Sequence, residues 1–271
     1  MSELSHEQQT YLARFIHPEK TYPALTEEMI ATILAIPLVT YRQIKMEIAA
    51  AVQQSVDELL ANPEFASRID RLPFAPGSTV LGLGDSITDD SLSWIELLRQ
   101  LLSKRRSSDH IRVINAGISG ETTTQMVNRT YYQLAAEKPA WIICMAGTND
   151  AHKYGEPPLK TLVSPEETEK NLVMLRSFGA TRTSAQWVWI TPNPVIPEDI
   201  RSHWFLGNGQ TIWTNDDLAP IVDAVRRQKD PVVDLQKVFG MPPNPEYLLD
   251  GLHPSLNGQR AIVRALVEHL T

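Results

Sequence analysis

Val80-Leu81-Gly82-Leu83-Gly84-Asp85-Ser86-Ile87-Thr88-Asp89 is a short apolar run that stops at a glycine and is followed at once by Asp85 and Ser86. A leucine-rich stretch, Leu92 to Leu102, begins soon after. The pattern predicts strand, tight turn and helix. It lifts the Ser86 hydroxyl to the carboxyl end of a strand and beside a helix N-terminus. Unpaired N–H groups and the helix dipole favour developing negative charge there. Taken alone, Gly84-Asp85-Ser86 also fits a plain helix cap, because Ser and Asp are favoured caps. The rest of the chain has to separate the two readings.

Downstream of this stretch the pattern alternates. Strand-like runs at 79–83, 111–115, 141–146, 186–191 and 232–235 are each followed by a helix-like run, at 92–102, 122–136, 165–178, 216–228 and 257–270. Five β–α units imply an α/β fold, a five-stranded parallel sheet covered on both faces. The near-continuous apolar runs Trp141 to Met145 and Trp187 to Ile190 fit strands buried on both sides. Cys144 lies inside the first of these and reads as packing. Upstream, residues 1–75 are expected to form a helical extension, with residues 76–271 as the main domain. Helices are predicted at 8–15, 26–36 and 42–61. The last carries an apolar stripe at Ile44, Ile48, Val52, Val56 and Leu60, with Leu59 alongside. The stripe is expected to pack on the main domain or on a second subunit. The extension would then serve homo-oligomerisation or cover a cleft.

Composition narrows the function. The formal net charge of −7, with no long run of one sign, disfavours nucleic acid and anionic membrane surfaces as partners. One cysteine excludes an intramolecular disulfide. The N-terminus lacks a basic region followed by an apolar core, and no apolar run approaches the length of a membrane-spanning helix. A soluble, cytoplasmic protein is expected.

An open α/β sheet binds ligands at the carboxyl ends of its strands. Those ends read Asp85-Ser86, Gly117-Ile118-Ser119-Gly120-Glu121-Thr122, Gly147-Thr148-Asn149-Asp150 and Thr191-Pro192-Asn193-Pro194, and Asp250-Gly251-Leu252-His253-Pro254 precedes the last helix. Polar and glycine residues gather along one edge. Acyl transfer to a serine needs a base, a group that orients the base, and donors aimed at the oxyanion. His253 is the candidate base, and Asp250, three residues earlier, can hold the ring nitrogen that faces away from Ser86. The candidate oxyanion donors are the Ser86 and Gly120 backbone N–H groups and the Asn149 side-chain amide. No histidine pairs with another histidine or with the cysteine at metal-ligand spacing, so no metal site is expected. Gly82-Leu83-Gly84 lacks the lysine of a phosphate loop. Asp85 and His152, together with Trp204 and Trp213 in the long connection 192–214, are candidate substrate contacts.

The four blocks together resemble the SGNH hydrolases, the GDSL esterase/lipase family. Gly84-Asp85-Ser86 matches the first block and Asn115 to Thr122 resembles the second. Gly147-Thr148-Asn149-Asp150 matches the third and Asp250 to Pro254 the last. The resemblance covers about residues 78–270. It implies a flavodoxin-like three-layer α/β/α fold with Ser86 as nucleophile, His253 as base and Asp250 as its orienter. It also implies an oxyanion hole of Ser86, Gly120 and Asn149, and no metal or cofactor. The expected reaction is hydrolysis of a short-acyl carboxylic ester, acetyl included, on a small molecule. An acyltransferase, a lysophospholipase or thioesterase on the same site, and a non-catalytic binding protein on the same fold are the alternatives. The sequence departs from the family at Asp89-Asp90, where many members carry a glycine, and the resemblance carries nothing over to the first 75 residues.

Overall fold

A computed structural model describes residues 4–155 and 159–271. Strands β1 (Thr79–Gly84), β2 (Arg112–Gly117), β3 (Trp141–Met145), β5 (Gln186–Ile190) and β7 (Val232–Val233) form one parallel sheet in the order β2-β1-β3-β5-β7. Strand order reverses on either side of β1. This opens a crevice above the carboxyl ends of β1 and β3, where ligands bind in open α/β sheets. Strands β4 (Lys153–Tyr154) and β6 (Thr211–Ile212) pair as a small antiparallel ribbon outside the sheet. The expected strands are all present, with ends shifted by one or two residues.

Helices α6 (Trp94–Arg105) and α12 (Leu256–Leu270) lie on one face of the sheet with α11 (Leu235–Phe239); α7 (Thr123–Glu137), α8 (Pro165–Arg182) and α10 (Asn215–Arg226) lie on the other. Ile142 and Cys144 of β3 point to one layer and Ile143 and Met145 to the other, all fully buried, because successive side chains of a strand face opposite ways. Burial raises the Cys144 thiol pKa, in keeping with a packing role.

The N-terminal segment contributes α1 (His6–Phe15), α2 (Glu27–Ile33), α3 (Leu38–Leu60) and α4 (Pro63–Arg71). Ser5 opens α1 with a capping box to Gln8, and Thr26 caps α2. Asn62 caps α4, with Pro63 in its first turn. Helix α4 lies beyond the three helices expected from sequence: Asn62-Pro63 suits a loop as well as a helix N-terminus, and here it starts a helix. Ile44, Val56 and Leu59 of α3 are fully buried and Ile48 and Val52 nearly so, while Leu60 lies at the margin. Their cluster is continuous with Leu97, Leu98 and Leu101 of α6 and with Val263 and Leu266 of α12, so α3 packs on the outer side of the α6/α12 layer.

Candidate active site

Strand β1 ends at Gly84, and Ser86 is the first residue of α5 (Ser86–Asp89). Asp85 caps this short helix through its Oδ1, which accepts the Ile87 N–H at 3.0 Å. Ser86 Oγ lies 2.9 Å from His253 Nε2, and His253 Nδ1 lies 2.7 Å from Asp250 Oδ2. The three residues singled out from sequence thus form one hydrogen-bonded chain. Asp250 Oδ1 accepts the backbone N–H groups of Leu252 (2.9 Å) and His253 (2.7 Å), which folds the turn that presents the imidazole. Gln259 of α12 locks this turn to the serine: its amide donates to the Ile87 carbonyl at 3.1 Å and its Oε1 accepts the Trp94 N–H at 2.9 Å.

Burial alone would raise the Asp250 carboxyl, but the charge and hydrogen bonds of His253, with the two backbone N–H groups, hold it well below the usual carboxylate range. Burial likewise pulls the His253 pKa down. The Asp250 carboxylate outweighs it, helped by Asp90 and Asp85, and the net shift is upward.

The Ser86 N–H, first in its helix, has no acceptor within it. Gly120 takes a left-handed φ of +81° in the turn after β2, a conformation that suits glycine and leaves its backbone at the cavity wall. The Asn149 amide donates to the Glu121 carbonyl at 3.1 Å with one hydrogen, and the second remains for a ligand. Asn149 and Gly120 both line the same cavity as Ser86 and His253. The turn bearing Gly120 packs against the serine turn through Gly117: a Cβ there would sit 2.4 Å from the Asp89 backbone nitrogen. Buried Asp150, last residue of the third block, accepts the Thr123 N–H at 2.9 Å and the Thr168 hydroxyl at 2.8 Å, which fixes the start of α7 behind Gly120.

The cavity has a volume of about 480 Å³. Ile118, Leu162, Leu206, Leu252 and Trp213 supply much of its apolar wall. His152 stacks on Trp213 with ring centroids 3.9 Å apart, and burial lowers its pKa to about 4, so it is neutral near pH 7. Trp213 is fixed by its indole N–H, which donates to the Thr148 carbonyl at 3.0 Å. Of the candidate substrate contacts, His152 and Trp213 line the cavity, and Asp85 and Trp204 do not. Asp85 is fully buried beneath the serine turn, absent from the cavity wall, and burial pushes its carboxyl up to about 6. Trp204 turns away from the cavity to pack edge-on against Tyr11, and its neighbour Phe205 takes the place on the wall.

Sequence reasoning did not find the opposite wall. Tyr11, Phe15, Ile16, His17, Pro18 and Thr21 line the cavity from the N-terminal segment. The segment thus covers one side of the cleft. The same segment accounts for the departure at 89–90. Buried Arg14 makes a bidentate ion pair with buried Asp90, at 3.0 and 2.7 Å. Asp89 is held by Lys20 and by His17 Nδ1 at 2.9 Å, and its Oδ2 accepts both the Ser119 N–H (2.9 Å) and hydroxyl (2.8 Å). Burial would raise the Asp89 carboxyl; its bonds to His17 and Lys20 more than offset this and lower it. The only trace of this wall in the sequence is the aromatic pair Tyr11 and Phe15, four residues apart on one helical face.

A parallel α/β sheet with a serine, a histidine and an aspartate linked in series above β1 defines the class of serine hydrolases that work from a flavodoxin-like sheet. The model of the GDSL-like Lipase/Acylhydrolase family matches residues 83–261, and the chain belongs to that family. It is a carboxylic ester hydrolase of the GDSL type. It is 40% identical over 106 residues to Esterase TesA of Pseudomonas aeruginosa, a match that spans 37% of this chain and about half (48%) of that esterase. It is 27% identical over 218 residues to the Acetylxylan esterase of Geobacillus stearothermophilus, covering 72% of this chain and 94% of that one. Among solved structures it is similar to LAE5, an alpha/beta hydrolase enzyme from the metagenome of Lake Arreo, Spain, with 25% identity and a TM-score of 0.57 over 73% of this chain and 96% of that one.

Proposed function

We propose that the protein hydrolyses a short-acyl ester of a small, uncharged alcohol through an acyl-enzyme on Ser86. The observation that carries this reading is the chain Ser86 Oγ, His253, Asp250, at 2.9 and 2.7 Å. His253 Nε2 takes the hydroxyl proton as Ser86 Oγ bonds to the ester carbonyl carbon. Charge moves to the carbonyl oxygen, where the Ser86 N–H, the Gly120 N–H and the free hydrogen of the Asn149 amide receive it. As the C–O bond to the alcohol breaks, His253 returns the proton to the leaving oxygen. Water then repeats the sequence on the acyl-enzyme. Asp250 holds the tautomer with its proton on Nδ1 and stabilises the imidazolium formed at each step.

The cavity supports the substrate class. Its walls are mixed, with apolar side chains from Ile16, Ile118, Leu162, Leu206 and Leu252, and the carboxylate on its rim, Asp89, is occupied by Lys20, His17 and Ser119. Neutral His152 offers no charge to an anionic headgroup. The naming of one relative as an acetylxylan esterase supports an acetyl group as the acyl part. Hydrolysis of p-nitrophenyl esters of increasing acyl length tests the reading: activity that peaks at acetate to butyrate and disappears in Ser86→Ala is expected. A rate that climbs steadily to long chains would move the substrate to lipid or thioester. Acyl transfer to added alcohols at the expense of hydrolysis would make the protein an acyltransferase.

A further inference from the structure

We propose that Tyr11, supplied by the N-terminal segment outside the family's core, is a positioning residue for the Asp250–His253 pair. Its hydroxyl lies 2.8 Å from Asp250 Oδ2 and 3.3 Å from His253 Nδ1. The shorter His253 Nδ1 to Asp250 Oδ2 contact, 2.7 Å, directs the imidazole Nδ1–H to the carboxylate, so the tyrosine hydroxyl also donates to Asp250. Desolvation by burial, followed by the charge and hydrogen bond of Asp250, raises the Tyr11 pKa, and the phenol keeps its proton.

Asp250 then has four donors for its four lone-pair sites: two backbone N–H groups on Oδ1, and the Tyr11 O–H and His253 Nδ1–H on Oδ2. A carboxylate filled in this way has one orientation, and the histidine it holds has one also. Without the tyrosine, Oδ2 keeps a single donor, and the carboxylate is held less tightly about its last bond. Phe15, one turn on from Tyr11, completes the support: its ring packs on the imidazole with centroids 4.5 Å apart. Arg14, between them, anchors the helix through the buried ion pair with Asp90. One turn and a half of α1 thus touches the base, its orienter and the residue after α5.

Donation by Tyr11 also draws charge from the Asp250 carboxylate, which weakens its hold on the imidazolium. The groups that face His253 are Asp250, Tyr11 and Ser86 directly, Asp85 and Asp90 from beneath the serine turn, Phe15 from α1, and His203 across the Tyr11 ring. Removing only the phenolic hydroxyl leaves all the other groups in place.

This inference rests on the proposed roles of His253 and Asp250, and the first readout of its test needs no turnover. The His253 ring is titrated by NMR in the wild type and in Tyr11→Phe, with kcat and KM measured beside it. Loss of the donor is expected to move the His253 titration upward by about 0.5–1 pH unit. It is expected to lower kcat about three- to tenfold with KM within about twofold, because the ring on the cavity wall is kept. A fluorinated tyrosine at position 11, whose hydroxyl is the stronger donor, should move the titration downward, and it serves as the second variant if Tyr11→Phe folds poorly. A His253 titration that coincides in all three proteins, or a Tyr11→Phe enzyme with wild-type kcat, overturns the inference. Retention of activity by Ser86→Ala would instead strike the proposed function and leave the titration result standing.

Discussion

The two walls of the cleft are built differently. The wall formed by the strand-end loops is held largely by backbone and cap bonds: Asp250 Oδ1 on two N–H groups, Asp85 on the Ile87 N–H, Asp150 on the start of α7. The wall formed by residues 11–21 is held by polar and charged side chains that reach across the chain, the ion pairs of Arg14 with Asp90 and of Lys20 with Asp89 and the hydrogen bond of His17 to Asp89. Backbone-held turns keep their geometry when a neighbouring side chain changes. A buried ion pair does not, since removal of one partner strands the other without water. In the proposed mechanism the first wall carries the chemistry, and the second is coupled to stability as well as to positioning.

The largest effect expected lies in the first wall. Ser86→Ala should lower kcat by on the order of 10⁴-fold or more with an unchanged thermal transition; a variant within tenfold of wild type would remove Ser86 as nucleophile. In the second wall, Arg14→Met leaves Asp90 buried and unpaired and should cost about 3–5 kcal/mol in urea unfolding. Adding Asp90→Asn should recover most of that loss, because Oδ1 is retained as acceptor for the Leu92 N–H. Equal stability of the single and double variants would break the contrast between the walls. Asn149→Ala, back in the first wall, should lower kcat by about 10²–10³-fold with little change in KM, whereas a change confined to KM would assign Asn149 to substrate binding.

The smallest effect concerns Asp85, where the two walls can be compared as charges. Arg14 compensates Asp90, but Asp85 Oδ2 is buried with no hydrogen-bond partner among the described residues. Its carboxyl titrates near 6 in the folded protein, above its unfolded value. The stability this group contributes is therefore full below the unfolded pKa and is lost as pH rises through 6. Asp85→Asn keeps Oδ1 as the cap acceptor and removes the charge. Its stability relative to wild type should rise between pH 4 and 7, to a gain on the order of 2 kcal/mol. Thermal melts of both proteins across that range decide it; a constant difference would mean that Asp85 does not titrate there.

Much of the first wall was legible because each of its parts is local. Gly84-Asp85-Ser86 and Asp250-Gly251-Leu252-His253 are strand-end or turn sequences whose side chains bond to backbone two or three residues away. Misplacements arose where several local outcomes fit. Asp85 sits beside Ser86 in sequence, yet the turn directs it inward as a cap. Trp204 and Phe205 are adjacent and both pack on Tyr11, and only the fold of their loop brings Phe205 rather than Trp204 to the cavity. Asn62-Pro63 suits a loop or a helix start, and burial of Phe65 and Ile69 selects the helix.

By itself the sequence determined the parallel sheet, the polar edge above it and the residues that gather there, because strand periodicity and turn chemistry act over a few residues. Only the tertiary structure decided that Asp89-Asp90 are the anchors of a second wall and that Tyr11 reaches Asp250. Those contacts join residues 76 and 239 positions apart. An aromatic pair at helical spacing looks the same whether it fills a core or faces the histidine of a cleft, and the packing of α1 against His253 and the serine turn is what distinguishes the two.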